Sequence, residues 1–358
     1  MAVSAPPDLA QRVQKTGATF LPFGHPGDEG LGPLWQKMRE VPPSEQGSFV
    51  VEQIFAGACV RAALPALLEH VEAWRPDVIV REAMEFAGLL AGEQTLVPTV
   101  RVAISIETQL EGLIAPLVAA LNEHRTKLGL PVDAERVALE REPALTQFPS
   151  SLWPEAGSQE FFRFRAADGL TPGPLPAALP TAWSQAQMPL VYLTLGTVAG
   201  SINELQAAYR LVLDAVASQP VHALLTTGDS LDPASLGPLP ENVHVERFVP
   251  QAQVLPHVRA VLCHGGSGTV LGTLAAGVPM VVLPLFADQP TNAAQVQAVG
   301  AGLSVPYHGA TTALLASALE RILHEPTFAE RARHIAADIA ALPHVSEAPA
   351  WLERTAAK

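Results

Sequence analysis

Two cysteines in 358 residues, Cys59 and Cys263, are too few for a disulfide framework or a thiolate metal cluster. Basic residues are scarce as well. Lys and Arg number 22 against 35 Asp and Glu, a formal net charge of −13, so no cationic surplus exists to displace the counterions of a nucleic acid or to hold an anionic membrane. No apolar run of about 18 residues stands out as a membrane span, and the first ~20 residues lack the apolar core of a signal peptide. The expectation is a soluble cytoplasmic protein with no nucleic-acid partner and no integral membrane segment. No Asp-x-Asp pair, a common divalent-metal anchor, occurs anywhere.

What the chain has in quantity is proline and glycine, 33 and 26 residues, and their placement punctuates it. Strand patterns at Ala18 to Phe23, Asp77 to Val80 and Thr99 to Ile104 alternate with helical patterns at Phe49 to Trp74 and Met84 to Gln94, the rhythm of a parallel α/β sheet. Helical pattern resumes from Leu113 to Leu128 and after Asp133, and Leu145 to Trp153 and Glu160 to Arg165 read as extended pieces. The stretch from Gly169 to Pro180 is too rich in proline to continue a helix or a ladder. From Leu190 the rhythm restarts, and helices follow at Thr311 to His324, Thr327 to Ala341 and Glu347 to Thr355. The length suits two α/β domains with separate cores. The expected division is a first domain over 1–168, a linker over 169–189, a second domain over 190–345 and a last helix over 346–358.

The chemistry concentrates in the second half. The apolar run ending at Cys263 is followed by His264, Gly265, Gly266, Ser267, Gly268 and Thr269, and then by a helix of small residues. The glycines let the backbone approach a ligand, the hydroxyls add donors, and the first N–H groups of the helix are free to meet an anion. A tight strand-to-helix turn with no ligand gives the same string. The next apolar run, Met280 to Leu285, leads to Asp288 and Gln289 on the same sheet edge. Upstream, a short strand pattern ends in Phe248, Val249, Pro250 and Gln251, and Leu190 to Leu195 ends in Gly196 and Thr197. Phe248 either stacks on a base or belongs to the core.

These strings together resemble a GT-B glycosyltransferase of the family 1 type, close to the bacterial enzymes that glycosylate natural products. The resemblance runs almost continuously from Phe248 to Asn292, through His264 to Thr269, Gly277 to Pro279, and Asp288 with Gln289. It implies two Rossmann-like domains facing a cleft. It also implies donor contacts by position: Phe248 on the nucleobase, Val249 on the base through its backbone, and Gln251 on the ribose. His264, Gly266, Ser267, Gly268 and Thr269 fall on the diphosphate, and Asp288 and Gln289 on sugar hydroxyls; Gly196 and Thr197, at another strand end, are counted among the donor-binding residues. His264 as a strand-end histidine satisfied by backbone is the alternative.

Two departures carry information. Relatives that use uridine donors carry a Glu eight residues after the motif His, where this chain has Gly272; a site without that carboxylate suits a 2′-deoxyribose and hence thymidine diphosphate sugars. Relief of helix packing beside Gly268 is the alternative reading of Gly272. At the start, Met1 to Asp8 reads as a loop and Leu9 to Thr16 as a helix. The first strand and helix of the family, with the loop His that acts as general base, are expected to be missing. His25 reads as a solvated loop residue, since Gly24 to Gly27 shows no helix after it. Glu82, at the end of the strand Pro76 to Val80, matches the family's base-orienting carboxylate, or else caps the next helix.

The resemblance implies inverting, metal-independent transfer with no cofactor. The substrates are a nucleoside diphosphate sugar, thymidine favoured over uridine, and a hydroxyl of a small-molecule aglycone. Activity is expected to be reduced or absent in a chain lacking the loop His. A non-catalytic nucleotide-sugar-binding relative, and another GT-B enzyme such as a sterol or cell-wall glycosyltransferase or a nucleotide-sugar epimerase, remain alternatives. Neither the acceptor nor the oligomeric state is legible.

Overall fold

The structure is a computed structural model that describes residues 1–106, 111–154, 160–166, 179–180, 183, 188–202 and 205–357. The chain divides into two compact units: one of Met1–Thr146, Glu155–Phe162 and Ser346–Lys358, the other of Gln147–Pro154 and Arg163–Val345. The proline-rich stretch over 169–189 lies largely outside the described residues.

The first unit opens with a strand where the sequence reads as a loop. β1 (Ala2–Ala5) pairs in parallel with β2 (Thr19–Pro22), and the Ser4 hydroxyl donates to the Leu21 carbonyl at 2.9 Å. A second sheet follows in the order β3 (Ile79–Glu82), β4 (Thr99–Ala103), β5 (Ala144–Thr146), β6 (Phe161–Arg163). Helices Val60–Trp74, Ala87–Thr95 and Glu111–Leu128 share one apolar core built on Leu64, Leu67, Leu90 and Leu121. Trp351, on the last helix Ala348–Ala356, stacks on Phe162 of β6 with ring centroids 5.6 Å apart.

Three local features of this unit differ from the sequence reading. The turn Gly24 to Pro26 does lead into a helix, Gly27–Glu40, whose glycines weaken it but whose Asp28 and Glu29 favour its start. The helix after β3 starts at Ala87 rather than Met84, because Glu85 caps it, accepting from the N–H groups of Ala87 and Gly88 at 2.9 and 2.8 Å. The helical run before Trp74 is π-wound over Val50–Cys59, where a Cβ on Gly57 would lie 2.8 Å from the Glu52 carbonyl oxygen. The buried His124 bonds the Ala56 carbonyl of that segment through Nε2 at 2.8 Å. The whole run Glu45–Trp74 is long and apolar enough by composition to cross a membrane, against the sequence reading, and half of its most apolar stretch is buried within the protein.

The second unit carries one six-stranded parallel sheet. In chain order its strands are β7 (Leu190–Thr194), β8 (His222–Thr226), β9 (Val243–Glu246), β10 (Ala260–Cys263), β11 (Met280–Val282) and β12 (Gly302–Ser304). In space the order is β12-β11-β10-β7-β8-β9. The first three strands are laid outward in one direction and the last three in the other, so β7 and β10 flank the point where the order reverses. Open parallel sheets of this winding bind their ligands beyond the strand ends at that point. Val191, Leu193, Leu225, Leu262 and Val281 pack with helices Gln206–Ala217 and Thr312–His324 in a single core. A rigid β7/β10 pair therefore supports whatever its two ends carry.

Candidate donor site

The strands β7 and β10 run in register from Val191↔Ala260 to Thr194↔Cys263, and the His264 N–H donates to the Thr194 carbonyl at 3.2 Å. Both chains then leave the sheet side by side, β7 into Gly196 and β10 into His264. The imidazole lies between two glycines. A Cβ on Gly196 would stand 2.6 Å from His264 Nε2, and one on Gly266 would stand 2.5 Å from the same atom. A side chain at either place would have to push the imidazole aside, and Gly196 is also left-handed, with φ of 81°.

Burial lowers the His264 pKa, while the charge of Asp288 and the backbone of Thr194 pull it upward. Its buried Nδ1 has no hydrogen-bond partner among the described residues. With Nδ1 closed off from solvent, the edge of the half-buried ring that carries Nε2, between the two glycines, is the one that can meet an incoming polar group. The strand thiol beside it is inert, since burial pushes Cys263 up to about 12.

Beyond His264 the turn folds for stated reasons. Gly265 has φ of 90°, and a Cβ there would meet Val282 Cγ1 at 2.6 Å. Gly266 precedes the helix Ser267–Ala275, whose first turn closes when the Val270 N–H meets the Gly266 carbonyl at 3.0 Å. The earlier N–H groups point out of the helix end, the positive end of its dipole. Gly268 is exposed there with open space around its Cα.

Asp288 and Gln289 join this turn differently from one another. The Ser267 hydroxyl donates to Asp288 Oδ2 at 2.8 Å, placing the carboxylate beside the cradle. Gln289 is only 3 % exposed, and its Oε1 accepts from the N–H groups of Leu285 and Phe286 at 2.8 and 3.0 Å. Its carbonyl oxygen thus braces the loop that contains the left-handed Ala287, with φ of 55°. The sequence reading assigned Gln289 to sugar hydroxyls. That oxygen is already spent on the backbone.

On the other flank Phe248 is 68 % exposed, so it is no core residue, and Val249 behind it is buried. Gln251 opens the short helix Gln251–Val254 after Pro250, and its Nε2 donates to Thr269 Oγ1 at 3.1 Å. Gln251 Oε1 faces Gly272, where a Cβ would stand at 3.4 Å. Thr197 is exposed at the end of β7, and a Cβ on Gly228 would lie 3.3 Å from its Cα. The end of β8 was not singled out from sequence, although Thr226, Thr227 and Gly228 close an apolar run in the same manner. There Tyr192 and Thr226 share a hydrogen bond at 2.8 Å beneath the strand ends.

In the first unit Glu82 ends β3, is exposed, and accepts from the Met84 N–H at 2.9 Å; desolvation raises its pKa against that bond and the Arg81 charge. The Arg81 guanidinium sits behind it, bidentate to Glu142 at 2.8 and 2.5 Å, and its Nη1 donates to the carbonyls of Glu82, Ala83 and Glu85 at 3.2, 3.0 and 3.0 Å. His25 is exposed, and its Nδ1 accepts from the Gly27 N–H at 3.2 Å. Among the described residues no three His, Cys, Asp or Glu side chains gather as a metal site.

Residues 210–354 match the family described as erythromycin biosynthesis protein CIII-like, C-terminal domain. L-demethylnoviosyl transferase of Streptomyces niveus is 35% identical over 301 residues, 80% of this chain and 73% of that protein. Elloramycin glycosyltransferase ElmGT of Streptomyces olivaceus is 32% identical, over 78% of this chain and 69% of that protein. Among solved structures, the calicheamicin glycosyltransferase CalG4 superposes with a TM-score of 0.77 at 24% identity, covering 99% of this chain and 90% of that one. Glycosyltransferase VinC in complex with DTDP gives 0.72 at 24% identity, covering 99% and 92%. At such identity the structural matches establish the fold, which is that of GT-B glycosyltransferases.

Proposed function

We infer the activity of this chain from the family to which it belongs, the natural-product glycosyltransferases typified by the demethylnoviosyl and elloramycin enzymes. It is an enzyme that transfers a sugar to a natural-product aglycone. Its donor, on our reading, is a nucleoside diphosphate sugar bound at the β7/β10 reversal of the second unit, with thymidine favoured over uridine and with inversion at the sugar carbon.

The observation that carries this reading is the imidazole of His264 gripped between Gly196 and Gly266, at the positive end of the helix Ser267–Ala275. A diphosphate set there meets the Nε2 edge of the imidazole, outward backbone N–H groups and a helix dipole together. In the transfer, the acceptor oxygen forms a bond to the sugar C1 as the bond from C1 to the β-phosphate oxygen breaks. The electron pair of that bond leaves on the phosphate, and the hydroxyl proton passes to a base. Charge grows on the phosphate, where donors already aimed at it stabilise the transition state more than the ground state. These donors take the place a divalent cation holds in other transferases, so the transfer is proposed to need no metal.

Asp288 supplies an acceptor for sugar hydroxyls beside the cradle, and exposed Phe248 supplies a face for the base. Absence of a carboxylate at Gly272 supports the deoxyribose preference: Gln251 is held by Thr269, and Gly272 beside it offers no side chain to accept from a 2′-hydroxyl. The solved relative bound to DTDP is consistent with that choice. On the acceptor side Glu82 is proposed as a positioning carboxylate at the end of β3.

The test is transfer from thymidine and uridine diphosphate hexoses to a panel of aglycones in the presence of a chelator, with product configuration read by NMR. Faster reaction of the thymidine donor, with inversion, supports the reading. A metal requirement, retention, or preference for the uridine donor contradicts it.

A further inference from the structure

Helix Gln289–Ala298 starts beside the cradle, and its first turn carries a fully buried amide, Asn292, with 0 % exposure. Its Nδ2 lies 2.9 Å from the Gly265 carbonyl, 3.1 Å from Ser267 Oγ and 2.8 Å from Asp288 Oδ2. Two hydrogens thus serve three acceptors, one in the glycine turn, one on the helix that follows it, and one on the carboxylate. Because the Ser267 hydroxyl donates to the same Oδ2, that oxygen is anchored twice, which leaves Oδ1 as the oxygen not engaged by this pair.

We infer that Asn292 is a positioning residue that ties the diphosphate cradle to Asp288 and fixes which carboxylate oxygen meets the sugar, an inference that rests on the donor-site reading above. Buried completely, the amide touches no ligand itself. Its two-sided role needs a donor: a carboxylate in its place would face Asp288 at hydrogen-bond distance, and two such groups do not both ionise without cost. The ionisable side chains of this cluster are Asp288 and His264; neither the turn over 265–269 nor the helix Gln289–Ala298 carries another charge.

The experiment compares the native protein, Asn292→Asp, and Asn292→Asp combined with Asp288→Asn, which restores one amide and one carboxylate. Affinities for thymidine diphosphate glucose and for thymidine diphosphate are measured from mildly acid to mildly alkaline pH, with thermal unfolding over the same range. In Asn292→Asp the preference for the sugar nucleotide is expected to fall about tenfold as the pH rises, beyond any change in the native protein, because the proton that the two carboxylates share is lost. Unfolding should steepen with pH in parallel and become shallower in the double variant, though not as shallow as in the native protein, because the Gly265 carbonyl still faces a carboxylate there. The same pH profiles in Asn292→Asp as in the native protein overturn the proposal, as does a double variant as steep as Asn292→Asp. Should Asn292→Asp fail to fold, the double variant decides: a fold at least partly recovered supports the pairing, and no recovery refutes it. A native protein that binds both ligands equally removes the sugar-binding role of Asp288, whereas the unfolding profiles still judge the pairing.

Discussion

Gly196 faces the imidazole of His264 so closely that a Cβ on the glycine would stand 2.6 Å from Nε2. Residues 68 positions apart are brought together because β7 and β10 are neighbours in the sheet although two strands separate them in the chain.

Gly196→Ala is therefore expected to displace the imidazole and to strain the backbone, since alanine is unfavourable at φ of 81°. Stability should drop by about 1–2 kcal/mol and nucleoside diphosphate affinity by about tenfold or more. Gly266→Ala meets the same imidazole at a φ of −61°, so it should weaken binding without that backbone strain. Denaturant unfolding and calorimetry on both variants separate the two effects.

Donor choice is tested at Gly272. Its position leaves ordinary van der Waals room for a Cβ, with Gln251 Oε1 and Leu255 Cδ1 both at 3.4 Å. Gly272→Glu should fold and should shift binding toward uridine diphosphate, by about tenfold relative to thymidine diphosphate. An unchanged ratio in competition calorimetry would leave the glycine as a packing residue.

Much of this site was legible because its residues are contiguous in sequence. The string His264 to Thr269 and the pair Asp288 and Gln289 each follow an apolar run, so period and punctuation placed them on one sheet edge. Their roles within the edge were less legible. Gln289 looks identical in sequence whether or not its Oε1 is taken by the N–H groups of Leu285 and Phe286, and only the backbone of the Ala287 turn shows that it is. Phe248 follows a strand whose alternation does not say which side is covered. In the first unit, β1 pairs with β2 fourteen residues on, a partner that a four-residue strand does not announce. The π-winding over Val50–Cys59 leaves no periodic trace distinct from an ordinary helix; Gly57 is its one local sign.

Acid should destabilise the fold through its buried histidines. Burial lowers the pKa of His124, His222 and His264 from the ordinary 6.5. The unfolded chain then takes up protons first as the pH falls. Their contribution is complete above about pH 6.5 and is lost progressively below it. Chemical unfolding at a series of pH values should show stability rising with pH through this window, and His264→Gln should make the rise shallower.

The buried pair of Arg81 and Glu142 should be costly to break from one side. Glu142→Ala leaves the guanidinium that gathers the carbonyls of Glu82, Ala83 and Glu85 without its carboxylate, and a loss of about 3–5 kcal/mol is expected by denaturant unfolding. Replacing both members with apolar residues of similar volume should cost less than that single change.

On the proposed function, the β7/β10 reversal holds a diphosphate through His264. Titration calorimetry of thymidine diphosphate and of thymidine against the native protein and His264→Ala tests it most directly. His264→Ala should lose about 3 kcal/mol of diphosphate binding while thymidine binds nearly as before. Equal losses for the two ligands, or none for either, would contradict it.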